Sequence, residues 1–144
     1  MLLDVPTLLL ASYIFSWQFP HFYGILYENQ QDYKKAGFVM ISDEDPTGQF
    51  KAYDQMWYCN AFNTVLPVAM ALPQVGLIHP ALLVPFMYYQ SKTFTALTQF
   101  KNEKASPASA KQVKKTAYMP FLILLIGFFG TTFYNRYEER RIQD

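Results

Sequence analysis

Twenty consecutive residues toward the end of the chain carry no charged side chain. Residues 116–135 read TAYMPFLILLIGFFGTTFYN. An α-helix rises about 1.5 Å per residue, so about 20 apolar residues cross the hydrocarbon core of a bilayer, which is about 30 Å thick. The stretch therefore predicts one membrane-spanning helix.

Two further stretches also lack Asp, Glu, Lys and Arg. They are residues 5–27 and residues 55–91. The first has the length of one crossing. The second fits two short helices joined by a turn near Gly76 and Pro80, provided that the Lys92 side chain reaches back to the membrane surface.

We therefore predict an all-α polytopic membrane protein with four transmembrane helices. The alternative is a soluble helical domain, but its helices would show a charged face beside an apolar one. The predicted helices cover about 5–27, 55–75, 80–99 and 116–135.

The composition excludes several protein classes. The chain has 144 residues, and we interpret 1–144 as a single membrane domain. Charged residues make up 16% and aromatic residues 18%, whereas soluble proteins have about 25% charged residues. With a net charge of +1, these values exclude a disordered chain, a coiled coil and a strongly basic nucleic-acid-binding protein. Because Cys59 is the single cysteine, a disulfide framework and a multi-cysteine metal site are excluded as well.

The lysines predict how the chain lies in the membrane. Four crossings put the long connections 28–54 and 101–115 on one side, and these connections hold eight lysines. Because Lys and Arg are enriched on the cytoplasmic or matrix side of membranes, the long connections are predicted to face the cytosol or the mitochondrial matrix. Lys111, Lys114 and Lys115 are also candidates for contacts with anionic lipid headgroups such as those of cardiolipin, at about 1 kcal/mol per lysine.

Two short motifs lie close together in the first third of the chain. Residues 17–22 read WQFPHF, and residues 32–40 read DYKKAGFVM. They resemble the W-Q-x-P-H-F and D-Y-x-x-x-G-x-x-M motifs of the protoheme IX farnesyltransferases (heme O synthases), which are UbiA-type intramembrane prenyltransferases. Beyond Met40 the resemblance is confined to the hydropathy pattern.

The resemblance implies a fold and a reaction. In that family nine membrane helices surround a central cavity, and this chain would correspond to helices six to nine. The reaction ionises farnesyl diphosphate with the help of Mg²⁺ and adds the farnesyl group to a vinyl group of protoheme. The chain has no counterpart of the family's other signature, an aspartate-rich N-D-x-x-D motif. We interpret the acidic cluster at 43–45 as a solvated turn.

The resemblance also assigns candidate site residues. Asp32 would be a Mg²⁺ ligand only if a partner supplied further carboxylates, and no cofactor is expected for the chain alone. Each candidate has a structural alternative: Asp32 as a helix cap or ion-pair partner, His21 as a hydrogen-bonded interfacial residue, and Trp17 as a packing residue. The catalytic candidates are His21, Asp32 and Tyr33, and the substrate-binding candidates are Trp17, Lys34 and Lys35.

Two functions stay open at this point. The first is structural: a truncated, inactive relative of heme O synthase serves as a subunit of a mitochondrial respiratory-chain complex, with cytochrome c oxidase as the first choice. Its location would be the mitochondrial inner membrane with the long connections in the matrix, or less favourably a bacterial inner membrane. The second is enzymatic: the chain is the C-terminal half of a split farnesyltransferase whose partner carries the aspartate-rich motif. A third interpretation is an unrelated four-helix membrane subunit.

Overall fold

The computed structural model describes residues 4–143, and all of its regular secondary structure over that range is helical. The predicted all-α class is therefore confirmed. A short 3-10 turn, Pro80–Leu82, leads into α5. The helices are α1 (Val5–Glu28), α2 (Gln30–Lys35), α3 (Ile41–Glu44), α4 (Lys51–Met70), α5 (Leu83–Asn102) and α6 (Pro107–Gln143).

The four long helices form a ring in the order α1, α4, α5, α6, with each helix packed on its two neighbours. The Tyr27 ring at the end of α1 meets Phe100 near the end of α5, with ring centroids 5.2 Å apart. At the same level the Gln49 side chain donates a hydrogen bond to the Lys101 carbonyl at 3.0 Å. The connections 29–50 and 103–106 thus lie at one end of the bundle, called the loop end, and the connection 71–82 lies at the other, called the hairpin end.

The predicted helix bounds follow the ends of the uncharged stretches. Several helices begin or end elsewhere. α6 begins at Pro107 instead of residue 116, because a proline at the first helical position leaves no backbone N–H unpaired. α4 ends at Met70 instead of residue 75. Pro73 cannot continue the helix, and the chain then turns through Gly76, whose φ is +58°.

Within residues 4–143, one helix is long and apolar enough to cross a membrane, the segment Pro107–Ile142 of α6. The prediction of four transmembrane helices is therefore not confirmed. α4 and α5 carry amide side chains in their middles, Asn60 and Asn63 in one and Gln90 in the other. These groups lower the hydropathy of both helices even where no charge is present.

The interior of the bundle consists of two apolar clusters. Each combines side chains from all four sides of the ring, so the two clusters fill the bundle at both ends. At the loop end the larger buried side chains are Leu26, Tyr27, Met56, Leu97, Phe100 and Val113. At the hairpin end they are Tyr13, Leu66, Met70, Ile78, Phe86 and Leu124.

Buried polar side chains lie between the two clusters and bind one another. The Ser16 hydroxyl of α1 donates to the Asn63 side chain of α4. The Gln90 amide of α5 donates to both the Asn60 carbonyl and the Asn60 side-chain oxygen, at 2.9 Å each. Inward polar side chains thus find partners within the chain, although the buried Asn60 Nδ2 group has none among the described residues. Since an unpaired polar group is costly in an apolar interior, these cross-helix pairs fix how the helices face each other.

Candidate functional site

The first motif packs α1 against α6. The Trp17 indole N–H donates to the Ala117 carbonyl at 2.8 Å. The indole ring also stacks on Phe121, with ring centroids 4.0 Å apart and an interplanar angle of 13°. Trp17 is therefore held by its neighbours on α6, as expected of a packing residue.

His21 lies one turn after Trp17 on the same face of α1, because residues four apart are neighbours on a helix. Its ring stacks on the indole with centroids 4.6 Å apart and an interplanar angle of 21°. Tyr118 of α6 is next to it, at 6.4 Å between ring centroids. The His21 Nδ1 atom is buried and has no hydrogen-bond partner among the described residues.

α1 and α6 approach each other closely at Gly24. A Cβ atom placed there would lie 2.9 Å from the Ala110 carbonyl oxygen and 2.9 Å from the Lys114 Cβ. One turn further on, the Lys114 ammonium forms an ion pair with the Glu28 carboxylate, and both side chains are mostly buried. Lys114 is therefore engaged within the chain and is no longer available to the proposed headgroup cluster with Lys111 and Lys115.

The Glu28–Lys114 pair was not singled out by sequence reasoning. Glu28 ends one uncharged stretch, and Lys114 comes just before another. Opposite charges at corresponding ends of two antiparallel helices are a signal for such a pair, once the helices are known to be neighbours. The ring order of the helices, which the sequence does not reveal, supplied the missing information.

The second motif forms α2 at the loop end. Asp32 is exposed in the first turn of this short helix, where a negative charge is favourable. Tyr33 is half-buried against the loop-end cluster, and the Lys34 ammonium lies 3.9 Å from the Asp43 carboxylate. Lys35 is exposed. Asp32, Lys34 and Lys35 therefore face outward from the bundle rather than into its core.

The structure divides the six predicted site residues into two groups. Trp17 and His21 lie along the α1–α6 contact, whereas residues 32–35 lie beyond the end of α1. His21 is two helical turns before the end of α1, which corresponds to about 10 Å along the helix. Over residues 4–143, no hydrogen bond or ion pair joins the two groups.

The residues around Asp32 do not form a magnesium site by themselves. In the part of the chain that the structure describes, no three His, Cys, Asp or Glu side chains lie together. Asp43, the carboxylate near α2, faces Lys34. Mg²⁺ requires a near-octahedral set of oxygen ligands. Asp32 offers one of them, so the remaining ligands would have to come from a diphosphate, from water and from another chain.

Two cavities lie away from all six predicted residues. The larger, about 820 Å³, is at the hairpin end between the connection 71–82 and α6 from Ile126 to Asn135. The smaller, about 420 Å³, lies between α5 and α6. The motif residues face the ring's α1–α6 contact or the loop end, so neither cavity is an extension of the predicted site.

Sequence comparison identifies related proteins over part of the chain. The chain is 46% identical over 37 residues to the mitochondrial protoheme IX farnesyltransferase of Yarrowia lipolytica and 39% identical over 44 residues to that of Homo sapiens. It is 34% identical over 68 residues to the protoheme IX farnesyltransferase of Solibacter usitatus.

These matches cover 26%, 31% and 47% of this chain, but only 8%, 10% and 22% of the three relatives. No family model matches the chain, and no solved structure matches it either. The resemblance inferred from the two motifs is confirmed: over these segments the chain is related to the UbiA-type protoheme IX farnesyltransferases.

Proposed function

We propose that this chain is an inactive relative of protoheme IX farnesyltransferase that serves as a structural membrane subunit of a mitochondrial respiratory-chain complex. Cytochrome c oxidase is the first candidate for the host. The observation that carries the proposal is the filled interior of the bundle. The residues matched to the family's motifs are engaged in packing or exposed at one end, and they do not surround a substrate-sized space.

The filled interior argues against catalysis by this chain alone. A site for a prenyl diphosphate and a porphyrin requires a deep concave pocket, typically of about 300–1,000 Å³, and the cavity of about 820 Å³ lies at the hairpin end, away from the motif residues. Along α1, the Trp17 ring is covered by Phe121, and Ser16 is bound to Asn63. The Asn60–Gln90 contact closes the bundle on the opposite side of the ring.

The outer surface supports a place within a membrane or a larger assembly. Large apolar side chains on the outside of the bundle are strongly exposed, which is uncommon on a free soluble protein. Such residues need lipid or another subunit to cover them. Examples from three helices are Phe62 (49% exposed), Val65 (66%), Val84 (76%), Ile126 (69%) and Phe133 (71%).

The proposed location is the mitochondrial inner membrane, with the loop end in the matrix. Eight lysines lie in the loop-end connections and in the adjoining ends of α4, α5 and α6, and the lysine and arginine bias favours the matrix side for that end. The relatives from Yarrowia lipolytica and Homo sapiens are mitochondrial proteins. Bound lipids and neighbouring subunits are the expected partners.

The orientation is tested by labelling single cysteines in intact mitoplasts. In a Cys59→Ser background, Lys104→Cys lies in the turn at the loop end and Glu139→Cys lies near the far end of α6. A membrane-impermeant maleimide added from outside should label Glu139→Cys and leave Lys104→Cys unlabelled until the membrane is permeabilised. The reverse pattern would contradict the proposed orientation.

The structural role is tested by deleting the gene and restoring variants. Deletion should lower the amount of the assembled host complex and leave the heme O content unchanged. Asp32→Ala should restore assembly, because the exposed carboxylate takes no part in packing. Gly24→Leu should fail to restore it, because the side chain collides with the Ala110 carbonyl. Magnesium-dependent farnesylation of protoheme by the purified 144-residue chain would refute the proposal.

The second candidate function is half of a split farnesyltransferase. It is favoured by one observation: Asp32, Lys34 and Lys35 are exposed together on α2, where another chain can reach them. This hypothesis requires a tightly bound partner of roughly 150–200 residues that carries an aspartate-rich motif. Asp32→Ala would then abolish heme O formation. Normal heme O in that variant would exclude this function.

A further inference from the structure

A cleft between α5 and α6 carries two lysines that take no part in holding the bundle together. Lys92 of α5 and Lys115 of α6 line opposite sides of the cavity of about 420 Å³. Tyr88 and Tyr89 form one wall, and the Lys92 ammonium lies 5.2 Å from the centre of the Tyr88 ring. The remaining lining residues are Gln112, Thr116 and Met119.

The cleft is electropositive. Within residues 4–143, neither Lys92 nor Lys115 has a carboxylate within 4.0 Å. α5 contains no Asp or Glu, and the first acidic residue of α6 is Glu138, six turns beyond the cleft by the helical repeat. Two ammonium groups of like sign therefore share one cleft without a counter-charge from the protein, which favours an anionic ligand.

The cleft also marks the edge of the uncharged part of the bundle. Lys115 immediately precedes the stretch 116–135, whose 20 residues correspond to about 30 Å of helix, the thickness of a hydrocarbon core. Lys92 lines the same cleft, so it lies at the same level although it belongs to another helix. If this stretch of α6 spans the membrane, both ammonium groups lie at the depth of the lipid phosphates.

Aromatic residues at this level support the position of the membrane surface. Tyr118 directly follows Ala117, the residue of α6 that accepts the Trp17 hydrogen bond. It therefore lies near the level of the cleft. Exposed aromatic side chains at the water–lipid boundary are typical of membrane proteins. Tyr88 (57% exposed) lines the cleft, and Trp57 (41% exposed) lies 6.0 Å from the Phe94 ring of α5, two residues after Lys92.

We propose that the α5–α6 cleft is a binding site for the headgroup of an anionic phospholipid. The two ammonium groups bind the phosphate, and the Gln112 amide and the tyrosine hydroxyls offer hydrogen bonds to the glycerol part of the headgroup. Met119, one turn further into the uncharged stretch, lies where an acyl chain leaves the cleft. This inference rests on the membrane location put forward under the proposed function.

The location of the chain and the lipid site are tested separately. First, the purified protein is mixed with vesicles of neutral phosphatidylcholine and floated on a density gradient; it should float with the vesicles. Second, it is placed in mixed micelles of a neutral detergent with phosphatidylcholine and phosphatidylglycerol, and the bound lipids are counted by native mass spectrometry. The protein should retain phosphatidylglycerol in preference to phosphatidylcholine, and inorganic phosphate at millimolar concentration should not displace it.

The site is then tested with charge-matched double variants. Lys92→Gln with Lys115→Gln should weaken the preference for phosphatidylglycerol about 30-fold, since each lysine near an anionic lipid contributes about fivefold. Lys101→Gln with Lys104→Gln removes the same charge at the loop end and should change the preference less than twofold.

Three outcomes would overturn the lipid site. They are an equal loss in both double variants, no loss in either, and displacement of the lipid by inorganic phosphate. A protein that does not float with neutral vesicles refutes the membrane location instead, and the proposed function with it.

Discussion

The α1–α6 pair and the α4–α5 pair are held together by different chemistry. Between α1 and α6, the contacts are a stacked indole, a close approach at Gly24 and the Glu28–Lys114 ion pair. Between α4 and α5, the defining contact is the hydrogen bonding of Gln90 to Asn60. The first pair depends on close packing and the second on polar complementarity, so substitutions should affect them to different extents.

The largest effect is expected at Gly24. Gly24→Leu forces a side chain against the Ala110 carbonyl, which belongs to the backbone and cannot move aside. We expect the free energy of unfolding in detergent to fall by about 3 kcal/mol or more. Gly130→Leu is the matched control, because no atom lies within 4 Å of a Cβ placed there. It should leave the stability unchanged or raise it by up to about 1 kcal/mol, and an equal loss in both variants would show that α1 and α6 are not in contact at Gly24.

The next effect is expected for the ion pair. Lys114→Gln leaves the mostly buried Glu28 carboxylate without its partner and should lower the free energy of unfolding by about 1–3 kcal/mol. Adding Glu28→Gln should recover part of that loss, because the pair no longer contains a lone charge. The measurement is thermal unfolding of the three proteins in the same detergent.

The exposed Lys51–Glu44 pair is the control for this experiment. Its atoms lie 2.8 Å apart, and the hydrogen bond from Lys51 lowers the pKa of the Glu44 carboxyl. Both side chains are exposed, at 64% and 66%, so solvent screens the pair. Lys51→Gln should therefore change the unfolding temperature less than Lys114→Gln, and the opposite ranking would contradict the burial of the α1–α6 pair.

Gln90→Leu removes a contact between α4 and α5. It is expected to lower the free energy of unfolding by as much as Lys114→Gln does, or by less. It leaves the Asn60 side-chain oxygen buried without a donor and should cost about 1–3 kcal/mol of unfolding free energy. Gln99→Leu, at an exposed position of the same helix, is the control and should change the stability by less than about 0.5 kcal/mol. If the two variants unfold alike, the polar contact between α4 and α5 does not exist.

The smallest effect is expected for Trp17→Phe. This variant keeps an aromatic ring beside Phe121 but loses the hydrogen bond to the Ala117 carbonyl, which should cost about 1 kcal/mol. Trp57→Phe is the control, because that indole is 41% exposed and has no hydrogen bond among the described residues. A larger loss at Trp57 than at Trp17 would contradict the assignment of Trp17 as a packing residue.

The sequence named candidate site residues but did not reveal how they are arranged. The motif spacing places Trp17 and His21 on one face of a helix, and the structure shows them stacked there. The spacing does not reveal what contacts that face, because Ala117, which accepts the Trp17 hydrogen bond, is 100 positions away along the chain. Ser16 and Asn63 are separated by 47 positions, so their pairing likewise depends on which helices are neighbours.

The sequence by itself determined the all-helical class, the uncharged stretches that make up much of the long helices, and the relation to protoheme IX farnesyltransferases. These are local properties, since helix length, charge spacing and short motifs can be read within a few tens of residues. Only the tertiary structure decided the ring order of the helices, the pairing of Glu28 with Lys114 and the hydrogen bonds of Gln90 to Asn60 and of Ser16 to Asn63. These contacts join residues far apart in the chain, and their partners are set by the packing of whole helices.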